Sequence, residues 1–141
     1  MREDVGLPFS QTLFKDRQYW QIVGMLTESD EGIHVEWQSD EYQRPWGKAT
    51  AQHVARAPIK NVLIPWSSIE SVTFRGRFFK PGQLRITARS LAAVEGLPGA
   101  AGNTWWVRVA RAERRNAREF ALVSEGAIAS SKSPLLSSGR R

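Results

Sequence analysis

Residues 71–89 read Ser71-Val72-Thr73-Phe74-Arg75-Gly76-Arg77-Phe78-Phe79-Lys80-Pro81-Gly82-Gln83-Leu84-Arg85-Ile86-Thr87-Ala88-Arg89. Two alternating runs flank Lys80-Pro81-Gly82. Val72, Phe74 and Phe78 share one side of the first run, and Thr73, Arg75 and Arg77 share the other. In the second run Leu84, Ile86 and Ala88 alternate with Arg85, Thr87 and Arg89. A side-chain period of two belongs to a β-strand, and a Pro-Gly pair between two such runs marks a turn. Paired residues on antiparallel strands share a face. Burying the apolar sets together therefore pairs Phe78 with Leu84 and Arg77 with Arg85, across an odd loop at 80–82. A two-residue Pro-Gly loop would oppose Phe78 to Arg85 and mix the faces. The polar face then carries Arg75, Arg77, Arg85 and Arg89.

Upstream, Tyr19-Trp20-Gln21-Ile22-Val23-Gly24-Met25-Leu26 is rich in aromatic and β-branched residues, as strands are. Glu28-Ser29-Asp30-Glu31-Gly32 reads as a turn, and Ile33, Val35 and Trp37 alternate after it. The pair forms a hairpin with Trp20, Ile22, Leu26, Ile33, Val35 and Trp37 inward. Residues 39–57 read as a loop with a short strand through His53 and Val54. Ile59 to Ile64 is a strand, Pro65 ends its ladder, and Trp66-Ser67-Ser68-Ile69 is a tight connector. Residues 1–15 show no clear period and are expected to lie outside the domain.

Downstream, Gly96, Pro98, Gly99 and Gly102 make residues 91–102 a connector, its first half open to a single helical turn. Thr104 to Val109 is a last strand with Trp105, Val107 and Val109 inward and Trp106 outward beside Arg108. From Arg111 to about Ser124 the period becomes helical, with Ala112, Asn116, Phe120 and Val123 near one face. Gly126 stops the helix, and the Ser-rich remainder reads as a disordered tail. The expected fold is mainly β with a C-terminal α-helix: a partly open antiparallel barrel or sandwich capped by one amphipathic helix.

The chain has 141 residues, enough for one ordinary domain. Its mean hydropathy of −0.40 suits a globular protein, and no apolar run approaches the roughly 18 residues of a spanning helix. The first residues carry no hydrophobic stretch of a leader, and cysteine is absent. A cytoplasmic location is the expectation, with peripheral membrane association as the variant. The net charge of +6 is concentrated. Residues 1–70 hold seven Lys/Arg against ten Asp/Glu, whereas residues 71–118 hold ten against two. Fifteen of the twenty basic residues are Arg, whose forked guanidinium matches carboxylate or phosphate oxygens two at a time.

The segment Ile64-Pro65-Trp66-Ser67-Ser68-Ile69-Glu70-Ser71-Val72 resembles the "I-P-x-x-x-I-x-x-V" corner of bacterial pleckstrin-homology (PH)-like proteins. The Arg- and Phe-bearing hairpin, the Leu91…Glu95-Gly96-Leu97-Pro98-Gly99 connector, a strand and a terminal helix follow in the order of that family. The resemblance covers residues 18–125, leaving 1–17 as an N-terminal extension and 126–141 as a tail. It implies a seven-stranded barrel closed by a helix, with no enzymatic activity. One departure stands out. PH domains that bind phosphoinositides gather basic residues around their first hairpin loop, whereas the loop read as first here is Glu28-Ser29-Asp30-Glu31. No inositol-phosphate site is carried over.

No chemistry-bearing motif competes with this reading. His34 and His53 have no third ligand of metal-site spacing, and no nucleophile elbow, phosphate loop or dinucleotide turn occurs. No cofactor and no metal are expected. The candidate site is therefore the face bearing Arg75, Arg77, Arg85 and Arg89. Like charges crowded on one face repel unless an anion or acidic partner sits there. An acidic protein surface or self-association leads as the partner. Anionic lipid comes next, and nucleic acid last, because the sequence lacks the paired surface aromatics of an RNA-recognition sheet.

Overall fold

A computed structural model describes residues 6–47, 50–77 and 80–131, the side chain of Arg77 excepted. Among the described residues eight antiparallel strands precede one α-helix. The strands are β1 (Gly6–Lys15), β2 (Gln18–Glu28), β3 (Gly32–Gln43), β4 (Gln52–Arg56), β5 (Lys60–Pro65), β6 (Ile69–Arg77), β7 (Lys80–Ala88) and β8 (Thr104–Val109). The helix α1 spans Arg114–Ser131. The strand order is β4-β3-β2-β1-β8-β7-β6, with β5 beside β4 on the same edge of β3. Trp37 pairs with Lys60 and Asp40 with Arg56, so β4 and β5 are one edge interrupted at Ala57-Pro58-Ile59. Proline explains the break, since Pro58 has no N–H to give, while Ala57 N–H still reaches Ser39 O at 2.9 Å.

Alternation builds the core. Leu7 and Phe9 on β1, Ile22 and Leu26 on β2, and Ile33, Val35 and Trp37 on β3 are buried on one face. Trp105, Val107 and Val109 on β8 join them. The Phe9 ring meets Trp105 edge-on, centroids 5.4 Å apart. The corner Ile64, Trp66, Ile69 and Val72 is buried throughout. Among the described residues the sheet does not close: β6 pairs only with β7, and β4 and β5 only with β3. Helix α1 packs chiefly along β6 and the short 3₁₀ turn Trp66–Ser68, and inserts Ala117, Phe120 and Ile128 into the core. Glu125 Oε2 accepts the Val72 N–H at 2.7 Å, so the helix satisfies part of the free edge of β6.

Four expectations are corrected. Residues 6–15 are no extension: every residue of β1 pairs with β2, and Ser10 also pairs with Arg108 on β8. The helix runs past Gly126 to Ser131, because Ile128 is a further core anchor; the tail proper, 132–141, lies outside the described residues. The hairpin at 28–32 is the chain's second, the first being β1–β2 around Asp16-Arg17. Asp16 has φ 55°, a left-handed conformation that aspartate tolerates and tight hairpins use.

The fourth correction concerns the register at the centre of the sequence. Phe74, not Phe78, pairs with Leu84; Thr73, not Arg77, faces Arg85; and Arg77 pairs with Lys80. Lys80-Pro81-Gly82 therefore belongs to β7 rather than to a loop, and residues 78–79 lie outside the described residues. Gly82 pairs with Val109 and leaves room for the Phe74 ring, which a Cβ there would strike. Its glycine serves close packing rather than a turn. The slip is even, so apolar and polar faces are preserved.

Candidate functional site

The outer side of the sheet carries the residues that core alternation turns outward. Arg75 and Arg85 are exposed there, and Arg85 sits between Thr73 on β6 and Trp106 on β8. Gln83 lies between Arg75 and Arg108, and Arg108 faces Ser10 on β1. Arg89 follows β7, is exposed, and donates its N–H to Ser68 O at 2.9 Å. The Arg77 side chain lies outside the described residues. Among the described residues Arg75, Arg85, Arg89 and Arg108 have no carboxylate partner.

Next to these arginines lies an aromatic row. Phe14, Tyr19, Tyr42 and His53 face one another across β1, β2, β3 and β4. Tyr19 and Tyr42 stack with centroids 5.1 Å apart and planes 10° apart. Phe14 approaches Tyr19 at 5.8 Å, and His53 meets Tyr42 at 5.2 Å. Phe14 is 76% exposed, Trp106 47% and Trp46 82%. Arg17 lies 3.1 Å over the Trp46 ring and donates to Arg44 O at 3.3 Å. Asp40 on this face is ion-paired with Arg56 at 2.8 Å and lies 2.9 Å from His53 Nε2. Those hydrogen bonds, Arg56 first, hold its carboxyl below the usual aspartate range.

Two depressions meet on this side. A cleft of about 230 Å³ runs between β1 and β8, lined by Gln11, Thr12, Phe14, Gly99, Trp106 and Arg108 among others. A second of about 400 Å³ shares Thr12 and Phe14 and reaches Arg17, Tyr19 and Arg44. The first arises because β1 and β8 pair at one position only, Ser10 with Arg108. Beyond it Gln11 spans the gap, donating from Nε2 to Trp106 O at 2.7 Å.

The acidic hairpin tip is elsewhere and internally engaged. Ser29 O accepts the Trp66 indole N–H at 2.9 Å, and Ser124 Oγ donates to Glu28 Oε2 at 2.5 Å. Its depression of about 730 Å³ is walled by Glu28, Asp30 and the end of α1. That lining disfavours an anion.

The register sets Arg75 and Arg85 on the outer side of the β6–β7 pair, Arg89 lies just past the end of β7, and the sequence did not bring Arg108, Phe14, Tyr19, Tyr42 or Gln11 to them. The missed signal is in β1, where Leu7, Phe9 and Leu13 alternate and a glutamine breaks the apolar series at 11. Among the described residues no cluster of three metal-ligating side chains forms. No helix of the described residues is long and apolar enough to cross a membrane. Comparisons with protein-family models, curated proteins and solved structures give no match to this chain.

Proposed function

We propose that this chain is a non-enzymatic interaction domain that binds an anionic partner on the outer face formed by β1, β8, β7 and β6. The observation that carries the reading is that Arg75, Arg85 and Arg108 share one outer face, without carboxylate partners among the described residues, with the exposed ring of Trp106 beside Arg85 and Arg108. Unpaired guanidiniums on a fixed sheet repel one another, and an anion relieves that repulsion. The PH-like reading is supported by the antiparallel order, the buried corner residues Ile64, Trp66, Ile69 and Val72, and the helix that follows the strands. It gives the platform rather than the ligand. Acidic protein, a second copy and anionic lipid all meet the charge requirement. Nucleic acid meets it too, and the exposed rings of Phe14, Trp46 and Trp106 give that partner stacking surfaces on the same side of the sheet.

Heparin chromatography tests the face. The double variant Arg85→Glu/Arg108→Glu should elute at much lower salt than the parent, because exposed charges act within about 8 Å at physiological ionic strength. Arg115→Glu/Arg118→Glu, an equal charge change on exposed positions of α1, should shift elution far less. Equal shifts in the two variants would show only net charge at work and would remove the face as a site.

A further inference from the structure

The cleft between β1 and β8 contains a buried acceptor with nothing to accept. Gln11 is 9% exposed. Its amide orientation is set by Trp106 O, which takes the Nε2 donor, and this leaves Oε1 buried without a hydrogen-bond partner. A buried carbonyl in that state destabilises the fold unless a donor reaches it. The walls are shaped to keep the cleft open. Gly99, at φ 75°, takes a conformation that disfavours a side chain, and a Cβ there would come 2.9 Å from Leu13 Cδ2 and 3.5 Å from Gln11 Nε2. The Trp105 indole N–H holds that loop through Pro98 O at 2.7 Å. Two exposed rings, Phe14 and Trp106, flank the same cleft, and Arg108 lines it.

We propose that this cleft is a slot for one base of a single-stranded nucleic acid, an inference that rests on the anionic-partner reading and names its ligand class. A nucleobase presents a planar face to Phe14 or Trp106 and brings its edge N–H groups to the Gln11 side of the cleft. Its neighbouring phosphates meet Arg108 and Arg85, and the aromatic row toward Tyr19, with Arg17 and Arg44 beyond, continues the track. Single strands are required because pairing occupies the base edge. About 230 Å³ falls below the roughly 300–1,000 Å³ of pockets that enclose whole small ligands, and suits one ring of a longer chain. An acidic peptide or a lipid headgroup also answers the arginines, but neither repeats a flat ring beside each charge, which the succession of Trp106, Phe14, Tyr19 and Tyr42 alongside Arg108 and Arg17 fits.

Fluorescence anisotropy with a short labelled single-stranded DNA, set against an abasic strand of equal length and charge, tests the slot. The base-bearing strand should bind about tenfold or more tightly than the abasic one. Phe14→Ala and Trp106→Ala should each erase on the order of tenfold of that affinity, and Phe14→Ala, which lies off the arginine face, should leave heparin elution unchanged. Gln11→Leu, which removes the acceptor, should narrow the gap between the two strands. Because Gln11 is buried, the exposed Phe14→Ala keeps the test open if that variant unfolds. Equal binding of the two strands, or full affinity in Phe14→Ala with heparin retention intact, would overturn the slot and spare the anionic face. Loss of heparin discrimination between the two charge-reversed variants would overturn both. Anionic phospholipid vesicles that co-sediment with the protein, where the oligonucleotide does not bind, would also overturn the slot.

Discussion

Asp40 gathers three nitrogen contacts on an exposed surface: His53 Nε2 at 2.9 Å, Arg56 Nε at 2.8 Å and Arg56 Nη2 at 3.3 Å. Hydrogen bonds to the ionised form favour it, so its folded-state carboxyl titrates below the unfolded value. The sign follows. The stability it contributes is fully present above the unfolded titration point and is lost as pH falls through the folded one. Solvent screening keeps that contribution small. Carbon-detected NMR titration should place the Asp40 midpoint below the ordinary aspartate value, and Arg56→Ala should move it back upward. A midpoint unmoved by Arg56→Ala would show that the guanidinium does not set it. None of this was legible locally: His53 and Asp40 are 13 residues apart, and only the β3–β4 pairing joins them. Arg17 and Trp46 meet in the same way, through two turns whose residues have no common period. Residue types announced a basic, aromatic surface, but pairwise chemistry across strands needs the register first.

Register is where strand reading succeeded by parity and failed by count. The apolar faces of β6 and β7 were readable from alternation, so Val72, Leu84, Ile86 and Ala88 are buried as expected. The turn was misplaced because Pro-Gly is a strong local turn signal. It lost to a longer-range requirement, the packing of Phe74 over Gly82 and the pairing of Gly82 with Val109. The helix was legible from its period, though its end was not, since a glycine exposed on a helix surface does not stop it when Ile128 beyond it is buried. Phe120, 4% exposed, is the anchor of α1. Phe120→Ala should cost roughly 3–5 kcal/mol. Glu125→Ala, which strips the acceptor from Val72 N–H, should cost about 1 kcal/mol, because Glu125 is exposed and water can replace it. Chemical denaturation followed by far-UV circular dichroism measures both. An unchanged midpoint for Phe120→Ala would mean the helix adds little to the sheet.

For the whole molecule, the strand with the weakest sequence signal has the most central place. β1 joins β2 to β8, and so joins the β2-β3-β4/β5 half of the sheet to the β8-β7-β6 half. Its alternation is diluted by Pro8 and by Gln11 in an inward position, which is why residues 1–17 read as an extension. Those features have uses once the fold is known, since Gln11 bridges to β8 where the ladder lapses. Removing residues 1–15 should therefore abolish the fold rather than trim it. The deletion uncovers the facing edges of β2 and β8 and takes Leu7 and Phe9 from the core, with Phe9 leaving the face of Trp105 bare. Burying each such side chain is worth roughly 1.5–3 kcal/mol. Adding the lost β1–β2 ladder brings the cost to the scale of the roughly 5–15 kcal/mol that holds a whole domain together. The chain 16–141 should show collapsed amide dispersion by NMR and no cooperative melt, and excess synthetic peptide 6–15 should restore both, since the missing strand has a partner on each side. A truncated chain that melts cooperatively near the intact midpoint would make β1 an addition to a sheet that stands without it.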